Sequence, residues 1–204
     1  TWIAHCLSPG PLLADPEAEQ LVGRSGLRHL LFDCNTSWVF PENGAPGWYV
    51  LPLDMPLWIN GWLKEPVPEI VYRHQANAYG PDYAIVYWPG SSRSPLYSDD
   101  VRRHTATAAG PATLWAFGAR DREWITVWQA SETTTVPLSI QAHLISDGEV
   151  QVADGLGFPA DQWLAGDWFV QRHAFATPGH TLETGLYDYL TLESVGPALR
   201  LTAP

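Results

Sequence analysis

The sequence is poor in positive charge: 11 lysines and arginines stand against 22 aspartates and glutamates, a formal net charge of −11. Such a surface repels phosphate backbones and anionic lipid, so nucleic acid is not an expected partner. Long apolar runs are also missing. No stretch approaches the roughly 20 consecutive apolar residues that span a bilayer, and no basic, apolar, small-residue leader opens the chain. Because it begins at Thr1 rather than methionine, the chain is expected to be either a piece excised from something longer, with an anchor or signal removed, or a product with a trimmed tag.

Cysteine is nearly absent. Cys6 and Cys34 are too few for a zinc site of thiolates and lack the Cys-x-x-Cys redox spacing. Two readings stand: a structural disulfide, which would stabilise the fold by about 3–4 kcal/mol through loop closure, or two buried thiols in a reducing compartment. The seven histidines show no His-Glu-x-x-His arrangement, so zinc chemistry has no warrant. The glycine-rich phosphate loop and the Gly-x-Gly-x-x-Gly fingerprint are missing as well. After Pro89-Gly90-Ser91-Ser92 comes Arg93, not the glycine that a nucleophile elbow needs. No cofactor is expected. A glycosidase pair of carboxylates can be neither located nor dismissed among 22 acids.

What is abundant is tryptophan, 11 in 204 residues, within a composition that is 46% hydrophobic and 16% charged. Aromatic enrichment of this kind favours sheets, and the chain has ample apolar surface for a core. The ordinary role of these tryptophans is core packing; the functional alternative is a stacking platform for sugars.

The punctuation divides the chain near residue 95. In residues 1–95, Asp15–Arg24 reads as a helix, with Asp15 as cap, Pro16 in the first turn and Gly26 beyond its end. Strands are expected at Arg28–Asp33, Trp38–Phe40, Gly47–Leu51, Glu69–Arg73 and Tyr83–Trp88, a second short helix at Leu57–Lys64, and a linker at Pro89–Pro95. This is a small α/β region with aromatic strands. In residues 96–204, seven short strands from Leu114 to Thr202 predict an antiparallel β-sandwich, jelly-roll or immunoglobulin-like. Strict alternation places Leu138, Ile140, Ala142 and Leu144 on a buried face and Ser139, Gln141 and His143 on the other. The fold class expected is thus mainly β, with a small α/β N-terminal part and a C-terminal sandwich.

The run Ser139–Leu144, Asp147-Gly148, Asp154-Gly155-Leu156-Gly157, Trp163, Gly166-Asp167, Gln171-Arg172-His173, Pro178 and Gly185-Leu186-Tyr187-Asp188 resembles the C-terminal soluble β-domain of certain bacterial membrane glycosyltransferases. These are the relatives of protein mannosyltransferases that use a polyprenyl-phosphate sugar. Arg28–Phe32, Val39-Phe40-Pro41 and Trp48-Tyr49-Val50-Leu51-Pro52 are similar to the segment after the last membrane span of such enzymes. The resemblance implies a domain on the extracytoplasmic face of the membrane. Its covalent partner would be the membrane-embedded part of the same polypeptide, where the donor site and catalytic acids belong. The chain itself is then a non-catalytic accessory domain aiding recognition of a glycan or lipid-linked sugar acceptor, and an oxidising exterior favours pairing of Cys6 with Cys34. A free-standing, secreted carbohydrate-binding sandwich is the alternative.

In either case the expected binding residues are Trp163 and Trp168, stacking on sugar faces, with Asp167, His173 and Tyr187 beside them. Each has an ordinary reading. Asp154-Gly155 and Gly166-Asp167 form turns, with calcium ligation by Asp154 and Asp167 as the functional alternative. His173 is read as a satisfied strand histidine against a ligand or base.

Overall fold

The computed structural model describes residues 1–6, 26–76, 82–91 and 96–203. The chain is mainly β, and the described residues form sixteen strands in chain order: β1 (Trp2–Cys6), β2 (Arg28–Phe32), β3 (Ser37–Phe40), β4 (Gly47–Leu51), β5 (Leu63–Glu65), β6 (Glu69–His74), β7 (Tyr83–Trp88), β8 (Leu96–Tyr97), β9 (Val101–Ala109), β10 (Ala112–Arg120), β11 (Glu123–Ala130), β12 (Leu138–Ser146), β13 (Glu149–Val152), β14 (Trp168–Ala174), β15 (Thr181–Asp188) and β16 (Leu199–Thr202).

The sandwich expected in the second half is present. One leaf is the antiparallel sheet β13-β12-β15-β16 and the other is β3-β14-β11-β10-β9. Leu138, Ile140, Ala142 and Leu144 are all buried, as their alternation requires, and meet Leu182, Leu186 and Leu201 in the core. His143 is half-buried on the outer face.

A third sheet, β2-β1-β4-β7-β6, lies at the N-terminal end. Its β2-β1-β4 part is parallel and its β4-β7-β6 part antiparallel. The sheet is mixed and the helix expected at Asp15–Arg24 lies outside the described residues, so what is described of this part is a sheet and not an α/β unit. Alternation buries Trp2, Ala4 and Cys6 of β1, Tyr49 and Leu51 of β4, and Val86 and Trp88 of β7. These meet the second leaf of the sandwich through Trp38 and Phe40 of β3: Trp38 lies 4.8 Å from Tyr49 and Phe40 lies 4.7 Å from Trp88, centroid to centroid. That leaf is therefore covered on both faces. One strand from the first 95 residues completes the sheet of the remainder, because β3 pairs with β14 from Ser37↔Gln171 to Phe40↔Trp168.

Two local expectations are corrected. Leu57–Lys64 does not form an α-helix: it holds a single 3-10 turn, Trp58–Gly61, and then enters β5. The reason is packing. Trp62 leaves the turn to fill the space over Gly118, where an added Cβ would stand 2.7 Å from its ring, and Arg120 lies over the same ring at 4.2 Å. Strands β1, β5, β8 and β9 have no counterpart among the expected strands. Of the Pro89–Pro95 linker, the described Gly90 and Ser91 are held down, with Gly90 at positive φ against Pro46 and the Ser91 N–H donating to the Gly44 carbonyl.

Cys6 and Cys34 form a disulfide, with Cα atoms 5.2 Å apart. It ties the end of β1 to the turn between β2 and β3, beneath the aromatic cluster of Phe32, Trp38 and Tyr49.

Candidate functional site

Three of the five expected binding residues are interior groups with structural partners. Trp163 is fully buried, stacks on Phe169 at 4.9 Å and donates its indole N–H to the Phe158 carbonyl. It offers no face to a sugar. The surface expected from Trp163 to Trp168 was inferred from composition, and composition carries no information about which side of a loop an indole enters.

Asp167 is also buried, and it joins the two halves of the chain. Both its oxygens take the Arg28 guanidinium, at 2.6 and 2.5 Å, and they accept the backbone N–H groups of Glu42 and Leu164 at 3.0 and 2.8 Å. A carboxylate so fully engaged has no oxygen left to bind calcium. Asp154 is engaged differently: it accepts the Ala142 N–H at 2.7 Å and reaches the half-buried His143 Nε2 at 3.4 Å. Among the described residues no group of three or more metal-ligating side chains converges.

His173 sits between the leaves of the sandwich. Its Nδ1 lies 3.1 Å from the Ala153 carbonyl, which can only accept, so Nδ1 carries the proton and Nε2 accepts from the Thr126 hydroxyl at 3.1 Å. Burial lowers its pKa to about 4, against the opposing pull of the Ala153 carbonyl and the Asp154 charge. A neutral imidazole with both nitrogens engaged has no lone pair free for a metal or a substrate proton.

Tyr187 reaches a surface hollow. With Gln141, His143, Asp154, Leu192 and Ser194 it lines a depression of about 190 Å³. Its hydroxyl donates to Asp154 Oδ2 at 3.3 Å, and Gln141 Nε2 stands 3.1 Å from His143 Nδ1. The polar groups of this hollow are spent mainly on one another. A larger cleft of about 480 Å³ lies on the far side of Asp154, walled by Asp33, Thr36, Gly157 and Arg172, and His173 borders its floor with both ring nitrogens already engaged.

Trp168 behaves differently from Trp163. It is 7% exposed and leans at 5.5 Å and 53° against Trp115, which is 39% exposed. Trp115 is the residue that sequence reasoning missed. It sits on a β-bulge: the registers of β10 with both β11 and β9 shift between Leu114 and Ala116. The pleat turns the indole outward between buried Leu114 and Ala116, and past the bulge Ala116 and Phe117 are buried in succession.

The surroundings of this aromatic pair are polar. Gln129, paired across the ladder with Trp168, donates from Nε2 to Asn43 Oδ1 at 3.3 Å. Asn43 and its neighbour Glu42 both adopt left-handed backbone, at φ 57° and 52°. Consecutive left-handed non-glycine residues are unfavourable and concentrate at functional sites. This pair is held by the Glu42 N–H bond to Asp167 and by the Asn43 N–H bond to the Gly166 carbonyl at 3.0 Å. Asn43-Gly44 is a turn signal legible in the sequence; the bulge at Trp115 left none. An exposed indole bordered through Trp168 by the Gln129 and Asn43 amides suits a ligand that has an apolar face edged by hydroxyl groups.

No protein-family model matches the chain, and comparison with curated proteins and with solved structures returns no match.

Proposed function

We propose that this chain is a non-catalytic accessory domain on the extracytoplasmic face of a bacterial membrane glycosyltransferase of the polyprenyl-phosphate-sugar-dependent kind, where it aids recognition of a glycan or a lipid-linked acceptor. The observation that carries the reading is the Cys6–Cys34 disulfide, since such bonds persist in oxidising compartments and are rare where glutathione keeps thiols reduced. The resemblance of the β12 to β15 region supplies the enzyme class, and the bonding of Asp167 and His173 assigns those groups to scaffold work. A free-standing carbohydrate-binding module is the second reading, favoured by the exposed indole of Trp115.

Two measurements test the first reading. In intact cells that make the full polypeptide, a membrane-impermeant maleimide is expected to label a cysteine placed at the exposed Leu190; labelling only after lysis would overturn the location. The isolated chain is expected to transfer no sugar from a polyprenyl-phosphate donor, and turnover by it alone would overturn the accessory role. A run of apolar spans upstream of Thr1 separates this reading from the free-standing module, which a lone signal peptide would favour.

A further inference from the structure

We infer that Trp115 is the stacking residue of a glycan-binding platform completed by Trp168, Gln129 and Asn43, and that its ligand is a chain of neutral hexopyranose units. The ligand class rests on the glycan-recognition reading above; the place rests on geometry alone.

Of the 11 tryptophans, Trp115 is the one classed as exposed, and the others are buried or half-buried. An indole joins a large apolar face to an N–H donor, which is why exposed tryptophans are enriched where a partner binds. This one stands on the outward face of β10, between buried Leu114 and Ala116, where a bulge interrupts two ladders.

Trp168 braces Trp115 from behind, so the platform is held in one orientation before any ligand arrives. Preorganisation of this kind lowers the entropic cost of binding. The strained Glu42-Asn43 turn places an amide beside the rings. The bond from Gln129 Nε2 to Asn43 Oδ1 leaves Gln129 Oε1 and Asn43 Nδ2, one acceptor and one donor, for the hydroxyls at a sugar's edge.

Charge narrows the ligand further. A chain with a net charge of −11 disfavours polyuronates and phosphorylated glycans at low ionic strength. A pyranose with its hydroxyls equatorial presents the C–H face that an indole accepts. A shallow, solvent-bordered platform binds modestly, with Kd in the range of about 0.1–10 mM.

The test is a titration of the purified chain with cellohexaose, mannohexaose and polygalacturonate. It is followed by tryptophan fluorescence and by the indole N–H resonances in an ¹H–¹⁵N spectrum. At least one neutral hexaose is expected to bind, to shift the Trp115 indole resonance, and to lose affinity about tenfold or more in Trp115→Ala. Trp115→Tyr should keep most of the affinity, which guards against a variant that merely loosens the fold. Tyr72→Ala, which removes an exposed aromatic from β6, should bind as the wild type does. Polygalacturonate is expected not to bind at low salt.

Equal binding by the wild type and Trp115→Ala would overturn the site while leaving glycan recognition standing. Failure of both hexaoses to bind at about 10 mM would overturn the platform and glycan recognition together. The accessory role would then stand or fall on the labelling experiment.

Discussion

At the scale of single residues, burial decides which of the chemically capable side chains are available. His173 lies in a run, Gln171-Arg172-His173, that invites a catalytic reading, and its surroundings remove it. The imidazole is enclosed, its pKa is lowered to about 4 by desolvation, and Thr126 and Ala153 occupy its nitrogens. The consequence is a stability that depends on pH. In the unfolded chain this histidine titrates near 6.5, so below that pH the unfolded state binds a proton that the folded state refuses. The stabilisation is therefore complete above about pH 6.5 and is lost as pH falls toward 4, with a magnitude of about 3 kcal/mol. His5, also lowered to about 4 by burial and by the neighbouring His29, acts in the same window with the same sign. His173→Gln keeps a polar group in place and removes one of the two contributions. Urea midpoints measured at pH 7 and pH 4.5 should draw together in this variant relative to the wild type. An equal acid loss in both proteins would show that His173 is not responsible.

At the scale of elements, the legible strands are those carried by runs of β-branched and aromatic residues, whether they alternate between core and water as β7 does or are buried on both faces as β3 and β11 are. β7 begins and ends where the aromatic run Tyr83–Trp88 does, and β12 buries the four residues its pattern assigns. β9 was illegible for a physical reason. It is an edge strand, Val-Arg-Arg-His-Thr-Ala-Thr-Ala-Ala, exposed along most of its length and bound on one side to β10. Its pairing is fixed by backbone bonds and asks little of its side chains. The bulge at Trp115 was hidden for the same reason, since register is a property of two strands and the sequence shows each alone.

The site residues divide likewise: Tyr187 and Trp168 reach or border the surface, whereas Asp167 proved to be a joint between elements. Its ion pair with Arg28, which also donates to the Gln162 carbonyl at 2.6 Å, fastens β2 to the turn before β14. Removing one partner leaves a charge buried and uncompensated, so Asp167→Ala should destabilise the fold by about 3–5 kcal/mol. Arg28→Met with Asp167→Leu should recover only part of that loss, because no isolated charge remains but the Glu42 and Leu164 N–H groups still lack their acceptor. Urea denaturation of the three proteins checks this. A cost below about 1 kcal/mol for the single variant would mean that the pair behaves as an exposed one.

At the scale of the whole molecule, the composition suggests a division at residue 95, but the links across that point are unlike those of a linker between two self-sufficient units. β3 supplies an edge strand to the sheet of the second part. Trp38 and Phe40 carry the aromatic contacts between that sheet and the N-terminal one. The Gly157 carbonyl accepts the Asp33 N–H at 2.7 Å, while the Thr36 carbonyl accepts the Arg172 N–H at 2.7 Å. The segment with Trp58 and Trp62 covers the same leaf, with Arg172 set 5.6 Å over Trp58. Cutting the chain at residue 95 would strip all of this away. The fragment 96–204 would then expose the Val170 and Val127 face of its sheet and leave β14 as an unpaired edge, while Asp167 would keep its burial demand without its arginine. Exposed apolar faces and open edges of this kind promote association. The fragment is therefore expected to give a poorly dispersed ¹H–¹⁵N spectrum and to aggregate, whereas the intact chain should unfold in one cooperative transition with coincident fluorescence and circular-dichroism midpoints. A well-dispersed monomeric spectrum from 96–204 alone would show that the sandwich stands without β3, and that the N-terminal sheet is an addition to it and not a part of its core.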